Sequence, residues 1–112
     1  MSLLSPTLQS YFADRLITQR DASPRTVAAY RDTFRLLLAF AHAQTGKQPS
    51  KLDLDDLDAP LIGGFLNHRE HARGNTARTR NARLAAIHSF CRYAAFRHPE
   101  HAATIARVIE IP

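Results

Sequence analysis

Arginine is the residue type whose number and spacing in this sequence most clearly suggest chemistry. Thirteen of the fifteen basic residues are arginine, and seven of these lie between Arg69 and Arg97, a stretch whose single acid is Glu70. Acidic neighbours four residues away along a helix therefore cannot neutralise most of them. A guanidinium is always charged and donates to phosphate oxygens in a fixed fork, so this stretch favours a polyanionic partner. The alternative is that these arginines only form a solvated surface.

Segment 75–96, NTARTRNARLAAIHSFCRYAAF, is the helix that must position most of these arginines. At 100° per residue, small and apolar residues fall on one side and polar residues on the other. The predicted core-facing residues are Leu84, Ile87, Phe90, Cys91 and Ala94. The predicted outward-facing residues are Arg78, Asn81, Ala85, His88 and Arg92. Arg80 and Arg83 extend the apolar side toward the helix start, so we expect the first two turns to project beyond the core and to be basic all round.

A second helix begins with the same kind of basic end. Ser23 followed by Pro24 is typical of a helix start, and cationic residues come directly after it. The first N–H groups of a helix lack partners within it, and beside cationic side chains they favour phosphate. We therefore predict that two helix starts bind one DNA duplex, mostly through phosphates, with Arg80, Asn81 or Arg83 reaching base edges. The residues predicted for DNA binding are Arg25, Thr26, Arg31, Arg78, Thr79, Arg80, Asn81 and Arg83.

Histidine and aspartate are residue types that can bind metal, but their spacing in this sequence does not complete a metal site. His68 and His71 could share one helix face, but no cysteine or carboxylate cluster completes a zinc site. His98 and His101 are expected to be solvated. The aspartates of residues 53–58 alternate with leucine and lack the glycine and glutamate of a calcium loop, so they indicate a charge cluster before a helix. No metal and no cofactor are predicted.

Apolar residues recur at helical spacing along the chain, and no alternating strand pattern or internal repeat appears. The predicted helices start at Ser5-Pro6, at Ser23-Pro24, at Asp58, at Asn75 or Thr76, and at His101. Their predicted ends are Gln19, Thr45 with Gly46 as the cap, about His71, the residues before His98-Pro99, and Glu110. The predicted fold class is all-α, an orthogonal bundle of four to five helices.

Two details of this bundle follow from the spacing of small and apolar residues. Segment 47–59 is polar, but Leu52, Leu54 and Leu57 are spaced to hold it against the core, so we predict an ordered loop. Gly63 and Gly64 weaken the start of the third helix, and we interpret them as a site where another helix approaches closely.

Length and composition are consistent with one domain. The chain has 112 residues and a formal net charge of +5, which favours nucleic acid as a partner. Its one cysteine, Cys91, lies on an apolar helix side and is predicted to be a buried core residue rather than a reactive thiol. The longest wholly apolar run, Leu36 to Ala41, is too short to span a bilayer, and no signal peptide is recognisable, so a cytoplasmic protein without a membrane partner is expected.

Three stretches on these helices resemble the N-terminal core-binding domain of the tyrosine recombinases, the lambda-integrase-like family also called phage integrases. They are SPRTVAAYRDTFRLLLAFA from Ser23, LDLDDLDAPLIGGFLNHREHARG from Leu52 and TARTRNARLAAIHSFCRYAAF from Thr76, and the resemblance covers nearly all of the chain. The family pattern has Ser/Ala-x-x-Thr-x-x-x-Tyr in the second helix, leucine and an acidic pair in the loop, and Thr-x-x-x-x-Leu-x-x-Ile/Leu-x-x-Phe in the fourth helix. The matching residues are Ser23, Thr26, Tyr30, Thr79, Leu84, Ile87 and Phe90.

The resemblance implies a SAM-like fold that binds duplex DNA. In the family, such a domain is one half of a C-shaped clamp, and a separate C-terminal catalytic domain grips the other side of the duplex. Residues 1–112 would then be a single DNA-binding domain at the N-terminal end of a longer recombinase, and the final ARVIEIP is similar to the run into the catalytic domain. The implied partners are a double-stranded recombination site, that catalytic domain and further copies on DNA. His88 stands where relatives often carry Arg or Lys, which implies a DNA-backbone contact there.

The family's chemistry is not expected within this chain. It needs a tyrosine nucleophile with Arg, His and Lys around the phosphate, including a His-x-x-Arg pair, and none of the six histidines is followed by arginine at that spacing. Tyr11, Tyr30 and Tyr93 are interpreted as packing groups. The chain is thus predicted to be a binding domain and not an enzyme. Two other classes stay open: a free-standing helix-turn-helix regulator, with residues 65–74 and 75–96 as its helices, and a helical module that binds an acidic protein.

Overall fold

Helices make up most of the molecule. The computed structural model describes residues 2–73 and 76–112, with the backbone alone for residues 69–73. The α-helices in these ranges are α1 Leu4–Ser10, α2 Pro24–Thr45, α3 Ala59–Arg73, α4 Ala77–Arg97 and α5 Ala102–Ile109. Over the same ranges, β-type pairing is confined to one isolated antiparallel bridge between Leu3 and Asp53. The predicted all-α bundle of four to five helices is confirmed.

The first helix differs from its prediction in two ways. It begins at Leu4 rather than at a Ser5 cap, because the N–H of Leu4 donates to the carbonyl oxygen of Leu52 at 2.8 Å and needs no serine. The Ser5 hydroxyl donates instead to the carbonyl oxygen of Pro49 at 3.3 Å. After α1 the chain continues as a π-helix, Tyr11–Gln19, whose hydrogen bonds span five residues. A pattern judged at 3.6 residues per turn cannot indicate that change.

Capping groups at the ends of α2 and α3 match the sequence. The hydroxyl of Ser23 accepts the N–H of Thr26 at 3.2 Å, and Gly46 ends α2 with a φ of 76°, a backbone conformation that favours glycine. The carboxylate of Asp58 accepts the N–H of Leu61 at 3.0 Å where α3 begins. These local hydrogen bonds explain why the boundaries could be predicted.

The boundaries around α4 are close to their predictions. The Thr76 hydroxyl accepts the N–H of Thr79 at 3.2 Å and so caps α4, while the alternative cap, Asn75, lies outside the described residues. The preceding helix, α3, continues to Arg73 instead of ending near His71. His98 ends α4 as predicted, and α5 is one residue shorter at each end than expected.

The long connection between α2 and α3 is ordered, as predicted. Leu52, Leu54 and Leu57 are at most 6 % exposed and hold the connection against the core. Short 3₁₀ turns form at Pro49–Lys51 and Leu54–Asp56. Leucines spaced through a polar segment were therefore a reliable sign of an anchored loop.

The glycine pair of α3 does not mark a close helix approach. A methyl group built on Gly63 would have no atom within 4 Å, and one built on Gly64 would lie 3.5 Å from a ring carbon of Phe40, an ordinary van der Waals distance. Alanine would fit at both positions. The prediction of a close approach was wrong because glycine spacing alone does not report which neighbour faces it.

Aromatic rings form the centre of the core where α1, the π-helix, α2 and α4 meet. Tyr11 packs against Phe90 with ring centroids 5.6 Å apart, and Phe34 packs against Phe90 at 5.4 Å. Every residue of α4 predicted to face the core is buried, Cys91 included. None of the helices that the structure describes is both long and apolar enough to cross a membrane.

Candidate nucleic-acid interface

The outward side of α4 is basic and unusually free of acidic partners. We call it the α4 outer face, and it consists of Arg78, Asn81, Ala82, Ala85, Arg92 and Phe96, all exposed. In the described part of the chain, the side chains of Arg78 and Arg92 form no hydrogen bond or ion pair. Phe96 is 80 % exposed. The face therefore offers unneutralised cations around two small alanines, which let a partner approach the helix closely.

The start of α4 is not basic on every side, contrary to the prediction. A guanidinium nitrogen of Arg80 donates to the carbonyl oxygen of Pro112 at 3.0 Å and contacts Asn81 Oδ1 at 3.4 Å. Arg83 is half-buried, and its Nη1 is buried without a hydrogen-bond partner among the described residues. The chain after α5 returns to this end of α4, so one flank of the first two turns is covered. A single-helix pattern could not reveal that contact.

The start of α2 presents two of its three predicted residues together. Arg25 is exposed, and Thr26 is half-buried beside its Ser23 cap. Arg31 lies about 120° from Arg25 around the helix axis, because six residues at about 100° each amount to roughly 600°, which is about 120° short of two full turns. Its guanidinium lies 5.9 Å from the ring centroid of Phe12, in a groove between α2 and the π-helix. Arg31 is thus apart from the other two.

His88 occupies a packing position rather than an open surface. Its ring is half-buried, and Nε2–H donates to the carbonyl oxygen of Val108 in α5 at 3.0 Å. This hydrogen bond joins α4 to α5 across the flank that Arg80 also contacts. Its role in DNA binding stays a prediction. The half-buried Thr79 hydroxyl lies 3.3 Å from that of Thr76, within the cap of α4.

A second group of cations, not selected from the sequence, surrounds Tyr93 on the neighbouring flank of α4. The guanidinium carbons of Arg15 and Arg97 lie 5.2 and 5.4 Å from the Tyr93 ring centroid. Arg20 Nη1 donates to Ser89 Oγ at 3.5 Å. We call Arg15, Arg20 and Arg97 the Tyr93 arginine cluster. Arg15 lies in the π-helix and Arg20 directly follows it, and the five-residue spacing between them does not match the 3.6-residue period of a helical wheel.

The tyrosines have the packing roles predicted for them. Tyr11 is fully buried, and its hydroxyl lies 2.7 Å from Ser89 Oγ; burial raises the pKa of this phenol. Tyr93 is 3 % exposed, and its hydroxyl has no hydrogen-bond partner among the described residues. Tyr30 is half-buried against the core. A buried phenol with a raised pKa, such as that of Tyr11, is a poor nucleophile.

The predictions for the C-terminal histidines and for the aspartates need correction. His98 is half-buried rather than solvated, and its Nε2 lies 3.1 Å from the hydroxyl oxygen of Thr7. His101 is 7 % exposed rather than solvated, and its Nδ1 lies 2.8 Å from Asp55 Oδ1. With Asp53, these side chains could bring three ligand atoms within 4.8 Å of one another. The carboxylate of Asp53 already accepts the N–H groups of Ser2 and Asp55, as a cap does. The arrangement is explained by hydrogen bonding between the loop and the start of α5.

Comparisons with known proteins show the family of this chain. A family model described as "Phage integrase, N-terminal SAM-like domain" matches residues 8–98. Two curated proteins of Sinorhizobium fredii are similar: "Putative integrase/recombinase y4rC" is 55% identical over 109 residues, and "Putative integrase/recombinase y4rD" is 48% identical over 110 residues.

The matches cover 97% and 98% of this chain but only 33% and 39% of the two relatives, so the chain spans little more than a third of their length. No solved structure matches the chain significantly. The family match covers most of the described helices, from the end of α1 through the whole of α4. The chain therefore belongs to the phage integrase N-terminal SAM-like domain family.

Proposed function

We propose that this chain is a single DNA-binding domain that forms the N-terminal half of the clamp of a tyrosine-type site-specific recombinase. In this proposal a catalytic domain in the rest of the parent protein grips the opposite side of the same recombination site. The observation that carries the proposal is the α4 outer face, where exposed arginines have no acidic partner in the described part of the chain. Family membership supports the same role.

The distribution of acids supports an electrostatic role for this face. Asp32 pairs with Arg35 at 2.6 Å, and Asp56 pairs with Lys47 at 3.0 Å. Asp58 caps α3. These carboxylates are thus engaged away from the α4 outer face, whose positive potential can attract phosphates.

The residues of the face suit both kinds of DNA contact. A major groove about 12 Å wide admits an α-helix, and the small side chains of Ala82 and Ala85 allow the backbone of α4 to come close. Asn81 has the donor and acceptor pair that recognises adenine, and Arg78 can take guanine or a phosphate. Arg25 at the start of α2 would contact a neighbouring phosphate.

This assignment changes which residues would reach base edges. Arg80 is engaged with Pro112, and Arg83 is half-buried, so both would have to leave existing positions to contact bases. We assign base contact to Asn81 instead, with Arg78 on a nearby phosphate. In this proposal, a chain continuing beyond Pro112 would start beside the first turn of α4, and the connection to the catalytic domain would run close to the DNA. We also propose that copies of this domain contact one another when they are bound to neighbouring sites on the same DNA.

A titration with three labelled polyanions tests the proposal. The chain is titrated at low salt into a duplex, into single-stranded DNA of the same sequence and into polyglutamate, and binding is followed by fluorescence anisotropy. We expect duplex binding near the micromolar range typical of non-specific contacts, and weaker binding to the other two. Preference for polyglutamate would favour a protein-interaction module. Absence of duplex binding at low salt would contradict the proposal.

A further inference from the structure

We propose that the Tyr93 arginine cluster is a second phosphate-binding surface, which contacts the backbone of the same duplex beyond the reach of the helix starts. The inference rests on the proposed function and extends it to residues outside the family-like motif. Tyr93, around which the cluster gathers, lies about 60° from Arg78 around the α4 axis, on the side away from His88, which contacts α5. Ala82 of the α4 outer face lies between Arg78 and Tyr93. The two surfaces are therefore continuous.

Stacking on Tyr93 prepares two of these arginines to bind phosphate. A guanidinium that lies near an aromatic ring is held by cation–π attraction while its N–H groups, which lie in the guanidinium plane, stay available at the edge. Arg15 and Arg97 lie 5.2 and 5.4 Å from the ring centroid, and the ring itself is fixed because Tyr93 is 3 % exposed. Less side-chain freedom is lost when such arginines bind.

The cluster keeps like charges close together without local neutralisation. The guanidinium carbons of Arg15 and Arg97 are separated by no more than the sum of their distances to the ring centroid, about one Debye length at 0.1 M salt, so salt screens their repulsion only in part. Arg15 Nε donates to the neutral side chain of Gln19 at 2.8 Å, and Arg20 donates to Ser89. A polyanion would relieve this repulsion.

The acids near the cluster do not neutralise it. Asp14 and Asp21 are both exposed, and neither forms an ion pair within the described residues. Glu100, near the C-terminal end of α4, accepts the Ser2 hydroxyl at 3.2 Å and lies 3.5 Å from His98. The cluster therefore keeps its positive charge.

The length of α4 sets the spacing of the two surfaces. Arg78 and Arg97 are nineteen residues apart, which corresponds to roughly 28 Å along the helix. One strand of B-DNA advances about 3.4 Å per base pair, so phosphates up to roughly eight base pairs away come within reach. An acidic protein need not carry negative charges over a length of roughly 28 Å, whereas a duplex presents phosphates at regular intervals along its whole length. The observations therefore favour the DNA backbone.

The test removes the cluster and compares it with an equal loss of charge elsewhere. One variant combines Arg15→Gln, Arg20→Gln and Arg97→Gln, and the control combines Arg35→Gln, Lys51→Gln and Arg107→Gln, which are exposed cations outside the cluster. Affinity for a duplex of about 30 base pairs is measured over a range of salt concentrations. If the three cluster arginines neutralise phosphates, the cluster variant should flatten the slope of log affinity against log salt by roughly two to three units, and the control by less than one.

Duplex length supplies an independent readout. On a hairpin duplex of about 6 base pairs, roughly 20 Å long and so too short to reach both surfaces, the cluster variant and the wild type should bind alike. Arg20→Glu, an exposed substitution that leaves Tyr93 covered, should weaken binding to the long duplex more than Arg35→Glu does. Equal slopes for the cluster variant and the control, or equal loss at both duplex lengths, would overturn the inference. Loss of binding by the wild type itself would instead contradict the proposed function.

Discussion

Phe34 of α2 and Phe90 of α4 pack edge to face, with ring centroids 5.4 Å apart and ring planes at 72°. Each side chain is 2 % exposed. The pair marks the crossing of the two helices whose starts are proposed to hold DNA. Its packing therefore fixes how those starts are presented.

Truncating either ring should destabilise the domain strongly. Phe34→Ala or Phe90→Ala leaves a large cavity and should lower the free energy of unfolding by about 3 to 5 kcal/mol. The double variant should lose less than the two single losses combined, because an edge-to-face pair contributes roughly 0.5 to 1.5 kcal/mol beyond burial. Urea denaturation of the four proteins measures both quantities. Strictly additive losses would show that the two rings do not interact.

Two glycines should respond to alanine in opposite directions. Gly63 lies inside α3 with free space where the methyl group of an alanine would lie, so Gly63→Ala should stabilise the domain by about 0.5 to 1 kcal/mol. Gly46 has a φ of 76°, and Gly46→Ala should destabilise it by about 1 kcal/mol. Thermal melts of both variants decide the matter. A loss of stability for Gly63→Ala would restore the close-approach interpretation.

The sequence predicts the α-helical class because caps and apolar stripes are local signals. Ser23, Asp58 and Thr76 cap their helices by accepting the N–H of the residue three positions later, and such contacts need no knowledge of the rest of the chain. The π-helix and the start at Leu4 could not be predicted in this way. The π-helix depends on hydrogen bonds that span five residues, and the start at Leu4 depends on a hydrogen bond to Leu52 in the loop between α2 and α3.

The candidate site was predictable only where it depends on one helix. The exposure of Arg78 and Asn81 follows from the α4 period. Arg80 and His88 were placed on the DNA side because the sequence does not show that Pro112 and Val108 return to α4. The Tyr93 arginine cluster joins two distant segments, so no local pattern could identify it.

Burial of Cys91 should make stability depend on pH in the alkaline range. Burial raises the pKa of this thiol from 9.0 to about 12. Below pH 9 the thiol is protonated in both the folded and the unfolded state, so it adds no pH dependence. Between pH 9 and about 12 the unfolded thiol ionises and the folded one does not, so stability should fall as pH rises.

Comparison with Cys91→Ala isolates this effect. The wild type should lose stability faster than the variant from pH 9 upward, while the two curves should run parallel below pH 8. At pH 8 the folded wild type should also resist alkylation that the urea-unfolded chain undergoes readily. Rapid labelling of the folded protein would show that the thiol is accessible.

His88 should matter for stability more than for DNA binding. His88→Ala removes the hydrogen bond to Val108 and should lower the free energy of unfolding by about 1 kcal/mol. Its duplex affinity and salt dependence should match those of the exposed control His68→Ala. A selective loss of affinity in His88→Ala, without loss of stability, would assign this residue to the DNA backbone instead.

The central claim is that the basic starts of α2 and α4 hold a duplex, and its most direct measurement is the salt dependence of binding by arginine variants. If about five phosphates are neutralised, log affinity should fall against log salt with a slope of roughly −4 to −5. Arg78→Ala should flatten that slope by about one unit, and Asn81→Ala should relax sequence preference while leaving the slope unchanged. Arg35→Ala, which removes an arginine already paired with Asp32, should change little. If a variant lacking Arg25, Arg78 and Arg92 together binds duplex with the wild-type affinity and slope, the assigned surface is wrong.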